Sequence, residues 1–285
     1  MTSPSPSAFD PQAFEGTAEY YATGRPPYSA QLADTMASEL SLDGTGQMLD
    51  VGCGPGVLVL PLARLFDQVV ALDPEPGMLE VGQRRCQQAG LANVRWVRGV
   101  AEDLAALNLG SWRVVTFGQS FHRVRRLEVA EVVYDQLVPG GSLVLISHNA
   151  DDGRPRPTNP GFPEVPHAAV NELVVHYLGD STRRYLATWN EGQPARFEDT
   201  LSQTRFGGSR TIYAPGRPDL VRDIDRVVAN CFSLSYAAPR WFGDRRADFE
   251  ADLRHLLRLY SPDGLFWHWP GDTELVIATK PETKT

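Results

Sequence analysis

The chain has 285 residues, 42% of them hydrophobic and 22% charged, ordinary values for a globular protein with room for a large core. Its formal net charge of −8 speaks against a nucleic-acid partner, because binding to phosphates needs a basic face. Cys53, Cys86 and Cys231 are too few and too scattered for a disulfide framework or a zinc site. No apolar run approaches the roughly 18 residues that span a membrane, so the expectation is a cytoplasmic protein without a metal or a membrane partner.

In chain order, residues 1–13 are rich in Ser and Pro and read as a disordered tail. The aromatic stretch FEGTAEYYATGRPPY follows, and then a helix near Ser29–Leu40. Strands are expected at Met48–Gly52, Val69–Asp73, Val94–Arg98, Val114–Gly118 and Ser142–Ser147. Helices fall between them near Val57–Phe66, Pro76–Ala89, Ala101–Leu107 and Leu127–Leu137. Such alternation predicts an α/β fold with a parallel sheet, and a ligand site beyond the carboxyl ends of the strands.

After Ser147 a Pro/Gly-rich connection leads to helices near His167–Leu178 and Thr182–Asn190. Residues 151–205 read as an inserted helical cap, too small for a core of its own. Residues 206–285 then read as completing the core that begins at residue 14 and runs to 150. Their expected elements are the strand FGGSRTIYA, helices Pro218–Ala229 and Arg245–Tyr260, and the strand Thr273–Thr279.

The densest motif is MLDVGCGPG at Met48–Gly56, followed by Asp73 at the end of VVALD, 17 residues after Gly56. Gly52, Gly54 and Gly56 lack a Cβ, so the backbone there can take left-handed dihedrals and approach a ligand closely. An acid at the tip of the next strand is placed to accept hydrogen bonds from ribose hydroxyls. The spacing is G-x-G-x-G, neither the dinucleotide fingerprint nor a P-loop. These residues describe a nucleoside site.

At this point the chain resembles the class I S-adenosylmethionine (SAM) dependent methyltransferases of small-molecule type. The resemblance rests on LDVGCGPG, VVALDPEPGML, GVAEDL, VVTFGQSFH and LVPGGSLVLIS, in the family's order over roughly residues 15 to 150. It implies a Rossmann-like seven-stranded sheet of order 3-2-1-4-5-7-6, S-adenosyl-L-methionine as cofactor, and methyl transfer to a small molecule. O or N acceptors precede carbon, and the chain is a monomer or homodimer.

The resemblance also assigns roles. Gly52, Cys53, Gly54 and Gly56 would carry the methionine portion of SAM, with Cys53 contributing only backbone. Asp50 would hold either the loop or the SAM ammonium. Asp73, with Pro74, would take the ribose hydroxyls, while capping the following helix is an equally sound task for Asp73. Met78 would lie beside adenine. Ala101, Glu102 and Asp103 would supply an amide and a carboxylate to the adenine edge, or simply cap a short helix. Tyr20 and Arg25 belong to the cofactor set, Arg25 toward the SAM carboxylate. Gln119 and Ser120 would border the methionine moiety.

His122 and Tyr21 are the candidate catalytic residues, and packing is the competing role for His122. Here the pattern departs from the family, because Arg123, Arg125 and Arg126 stand where relatives often have Trp and then Asp. Three guanidiniums at a helix start oppose the helix dipole, and either an anionic acceptor or the acids Glu128 and Glu131 would compensate them. The departure keeps SAM chemistry without methyl transfer open (cyclisation or aminocarboxypropyl transfer), as well as a non-catalytic SAM-binding role. His167, His176, Tyr177, Arg183, Arg184, Tyr185 and Trp189 are candidates to line an acceptor pocket, or to pack and snorkel.

Overall fold

The computed structural model describes residues 13–149, 156–179, 182 and 196–282. Its strands, in chain order, are β1 (Gln47–Val51), β2 (Gln68–Asp73), β3 (Val94–Arg98), β4 (Trp112–Gly118), β5 (Leu137–Asn149), β6 (Arg210–Ala214), β7 (Val221–Asp223), β8 (Leu265–Trp267) and β9 (Asp272–Thr279). Seven of them form one sheet of order β3-β2-β1-β4-β5-β9-β6. β1 to β5 run parallel, and β9 pairs antiparallel with both β5 and β6. Counted along the chain, β6 and β9 are the sixth and seventh strands of this sheet. The expected order 3-2-1-4-5-7-6 is therefore borne out.

The chain divides into two compact units, and the division differs from the expected sequence of core, cap and completion. The sheet unit comprises residues 27–149, 194–216 and 272–285; the second unit comprises 1–26, 150–193 and 217–271.

Within the sheet unit, the central strands are buried on both faces, as near-continuous Val/Leu runs require. One face carries Leu49, Val115, Phe117 and Leu143 under the helix Arg126–Gln136; the other carries Met48, Val69, Val114 and Ile146 under the helix Leu32–Glu39. The helix expected at Val57–Phe66 is reduced to Val59–Leu62 followed by a 3-10 turn, Ala63–Leu65. Pro61 has no N–H to donate inside it, which shortens the regular segment. A helix that was not expected, Phe197–Ser202, falls within the residues read as the cap, belongs to this unit and places Leu201 in the sheet's core.

The second unit has a core of its own, drawn mostly from residues beyond the expected cap. Its helices His167–Leu178, Ile224–Phe232 and Arg246–Tyr260 supply Val170, Val174, Val228, Phe232, Phe249 and Leu253 to it. The expected helix Pro218–Ala229 instead begins with β7, paired to β8. Helix starts only at Ile224, because the Asp223 carboxylate caps it by accepting from the Arg226 amide at 2.8 Å. Residues 1–12 of the expected tail and the positions Arg183, Arg184, Tyr185 and Trp189 lie outside the described residues.

Candidate cofactor-binding site

The glycine turn is built at the carboxyl end of β1. Gly52 and Cys53 donate their amides to the Leu72 carbonyl, at 2.8 and 3.0 Å, which fastens the turn to β2. Gly52, Gly54 and Gly56 all have φ between +52° and +75°. A Cβ on Gly52 would lie 2.6 Å from that of Ser120, so this position is closed to side chains by space as well as by dihedral. A Cβ on Gly54 would meet nothing nearer than the Met78 sulfur at 4.0 Å, so the turn is open there. Gly56 faces the Trp96 ring, and Arg85 Nη1 donates to the Pro55 carbonyl at 2.7 Å. Trp96 and Arg85 thus brace the turn from behind; neither belongs to the expected set, and neither carries a motif.

Two acids flank this turn. Asp73 accepts from the Gly54 amide through Oδ2 at 2.9 Å and from the Glu75 amide through Oδ1 at 3.0 Å. It does not cap the helix Pro76–Gln88. That task falls to Glu75, which accepts from the Met78 amide at 2.7 Å, two residues closer to the helix start. Burial raises the Asp73 carboxyl to about 6, against the two amide bonds that lower it. Asp50 is 1% exposed and accepts from Thr116 Oγ1 at 2.7 Å through Oδ1, while its Oδ2 is buried with no hydrogen-bond partner. Burial raises this carboxyl to about 7, partly offset by the Thr116 bond. A buried carboxylate oxygen without a donor is costly, and a cationic ligand group answers it.

The remaining expected residues separate into those at this edge and those elsewhere. Cys53 is buried and its thiol is raised well above the usual range, first by burial and then by Asp73 and Asp50, so it stays protonated. Met78 is 2% exposed. Pro74 accepts from Arg98 Nε through its carbonyl at 3.3 Å. Ala101 is buried and Asp103 exposed, whereas Glu102 accepts from the Arg125 amide at 3.0 Å. Beyond β4, Gln119 sits at φ +55°, a left-handed conformation uncommon outside glycine, with its amide bonded to the Ile146 carbonyl. Ser120 Oγ donates to the Val51 carbonyl at 2.6 Å. His122 lies in the single 3-10 turn Phe121–Arg123 that follows.

The arginines of this segment do not act as one cluster. Arg125 pairs with Glu128 at 3.1 Å on the surface, Arg126 lies over the Phe197 ring at 5.1 Å, and the Arg123 charge bears on Asp73. Glu131, the other expected compensating acid, is held by Arg205.

Tyr20, Tyr21 and Arg25 belong to the second unit. Tyr20 packs on Phe232 and its hydroxyl accepts from Arg246. Tyr21 lies under the Arg25 guanidinium at 4.7 Å, and Arg25 donates to the Ser233 carbonyl at 3.1 Å. His176 and Tyr177 pack edge to face at 5.6 Å, and the Tyr177 hydroxyl donates to Asp252 at 2.6 Å.

Residues 48–141, which carry this whole edge up to β5, match the family described as methyltransferase domain. They form a class I SAM-dependent methyltransferase domain. The methyl donor of this family is SAM, and the turn, the orphaned Asp50 oxygen and Asp73 are a donor set that fits it.

Among relatives, a ubiquinone biosynthesis O-methyltransferase of Xanthomonas campestris pv. campestris is 35% identical over 117 residues, covering 41% of this chain and 48% of that protein. A ribosomal RNA small subunit methyltransferase C of Chromohalobacter salexigens is 31% identical over 160 residues, covering 54% of this chain and 46% of that protein. The chain thus spans about half the length of these relatives. A solved precorrin 8w decarboxylase of Methanobacterium thermoautotrophicum superposes with a TM-score of 0.49 at 15% identity, over 90% of this chain and 94% of that one. No helix among the described residues is long and apolar enough to cross a membrane.

Proposed function

We propose that the protein transfers the SAM methyl group to an oxygen or nitrogen of a small molecule. The observation that carries this reading is the pair Asp50 and Asp73, two buried carboxylates on either side of a turn held open at Gly54. SAM supplies a methyl already activated by a positive sulfur, so the work left to the chain is binding, alignment and exclusion of water. Asp50 Oδ2 would take the ammonium of the methionine portion, and Asp73 the ribose hydroxyls. Met78 and Ala101 would border the adenine, with Glu102 on its edge. Gln119, Ser120 and His122 follow β4, on the side where an acceptor would meet the methyl, and His122 is a candidate to orient that acceptor. The net charge of −8 supports a small-molecule acceptor over RNA.

The test is to incubate the whole chain with SAM and candidate small molecules and identify the products. S-adenosylhomocysteine together with a methylated acceptor is the expected result. Methylthioadenosine formed without an acceptor would replace this reading with cyclisation, and binding of SAM without turnover of any acceptor would replace it with a non-catalytic role.

A further inference from the structure

The helix Pro76–Gln88 keeps a glycine at its middle, Gly82, although glycine is the poorest helix former after proline. Space accounts for it. A Cβ at Gly82 would stand 2.5 Å from Cζ3 of the Trp96 ring and 3.2 Å from the carbonyl carbon of Pro55. The same ring reaches Gly56, with Cη2 3.0 Å from where a Cβ there would be, and the Gly82 Cα is 3.8 Å from that point. Trp96 stands on β3, paired with Ala71 of β2, so the ladder holds the base of the ring in place. Helix and glycine turn therefore meet backbone to backbone, over the end of one indole.

Met78, Gly82 and Arg85 are spaced i, i+4 and i+7, which puts them on one face of the helix. That face lies along the turn. Met78 Sδ is 4.0 Å from a Cβ position on Gly54, Gly82 faces Pro55 and Gly56, and Arg85 Nη1 donates to the Pro55 carbonyl at 2.7 Å. Asp73 ties the two together near the helix start, accepting from the Gly54 and Glu75 amides. A stiff helix seated at Gly82 thus sets how far Met78 stands from Gly54.

We propose that Gly82 and Trp96 are positioning residues for the cofactor: matched in size, they set the width of the cleft between this helix and the glycine turn. This rests on the reading of the site given above, in which Met78 borders the adenine and the turn carries the methionine portion. A ligand that spans both sides depends on that width, and a ligand that uses the adenine side alone does not. A methyl group at position 82 has no room, because the indole is rigid and the Pro55 carbon is backbone. It lifts the helix from the turn and carries Met78 away from Gly54. A phenyl ring at position 96 is shorter than the indole and returns the space that the methyl needs.

Calorimetric titration of the whole chain reads the width, with each variant held below the onset of its unfolding. In Gly82→Ala, SAM binding should weaken roughly tenfold. Methylthioadenosine has the adenine and ribose but lacks the aminocarboxypropyl chain, and it should lose no more than about twofold. Trp96→Phe should weaken SAM binding about threefold through the gap that its smaller ring leaves. Adding Gly82→Ala to Trp96→Phe should then improve binding, because the methyl fills that gap.

This change of sign is the mark of size matching. A substitution that only loosened the fold would deepen the loss in either background and weaken both ligands alike. If Gly82→Ala alone does not fold, Trp96→Phe and the double variant still carry the test. Wild-type affinity for SAM in Gly82→Ala, equal losses for the two ligands, or a double variant that binds SAM more weakly than Trp96→Phe would overturn the inference and leave the SAM site standing. A wild type that does not bind SAM removes both.

Discussion

The glycine turn of the sheet unit and the aromatic core of the second unit are both closely packed, yet they specify their residues in different ways. At the turn, a single Cβ is already too much: Gly52 combines φ +68° with a Ser120 carbon 2.6 Å away. The second unit stacks Phe242 on Phe249 at 4.0 Å between centroids and sets Phe232 edge-on to both. Such a core needs apolar volume, and several sequences supply it. Backbone geometry demands one residue type; packing demands a size and a polarity.

Substitutions sharpen this contrast. Phe249→Ala should have the largest effect, lowering stability by about 3–5 kcal/mol in denaturant unfolding through the cavity left behind. Phe249→Leu keeps most of the volume and should cost much less, so an equal loss for both would mean that the second unit is as exactingly specified as the turn. Gly52→Ala adds one carbon and should cost roughly 2–4 kcal/mol, with SAM binding lost from calorimetry. A Gly52→Ala protein of wild-type stability and affinity would break the comparison from the other side.

Next in size is the effect of pH on Asp50. Its folded carboxyl lies at about 7 and that of Asp73 at about 6, both raised by burial from 3.8. Between about pH 4 and 7 the folded chain therefore keeps protons that the unfolded chain has released, and these two groups make stability fall as pH rises through that window. Asp50→Asn removes its share. The variant should be more stable than wild type by roughly 1–3 kcal/mol at pH 8, lose that advantage by pH 4, and bind SAM more weakly at pH 8. Unfolding curves at the two pH values check the first two expectations, and calorimetry the third. The smallest effect belongs to Arg125→Ala, which breaks an exposed pair with Glu128 and should change stability by less than about 0.5 kcal/mol.

The same contrast explains what was legible in the sequence. The strand order followed from the family resemblance, and that resemblance was legible because backbone geometry forces Gly52, Gly54 and Gly56. Trp96 and Arg85, which brace that turn, could not be read, since a ring and a guanidinium at those positions resemble any other packing residues. Gln119 gave no sign of its left-handed backbone, because glycine would be the legible choice there. The start of Pro218–Ala229 was misread because Val221 and Arg222 suit a helix as well as a strand, and only the Asp223 cap fixes where helix begins. In the arm, Tyr20 and Arg25 were read for the cofactor and Tyr21 for catalysis, while Tyr28, which stacks on His148 of β5, carried no reading of its own because one tyrosine among several gives no sign of what it packs on.

Calorimetric titration of SAM into wild type, Asp73→Asn and Asp73→Ala tests the central claim most directly. The account predicts that Asp73→Ala weakens binding by roughly 30-fold or more, since it removes both a charged acceptor and the tether on Gly54. Asp73→Asn, which keeps one oxygen, should fall between the two. Equal affinity for all three proteins would contradict the assignment of this edge to SAM.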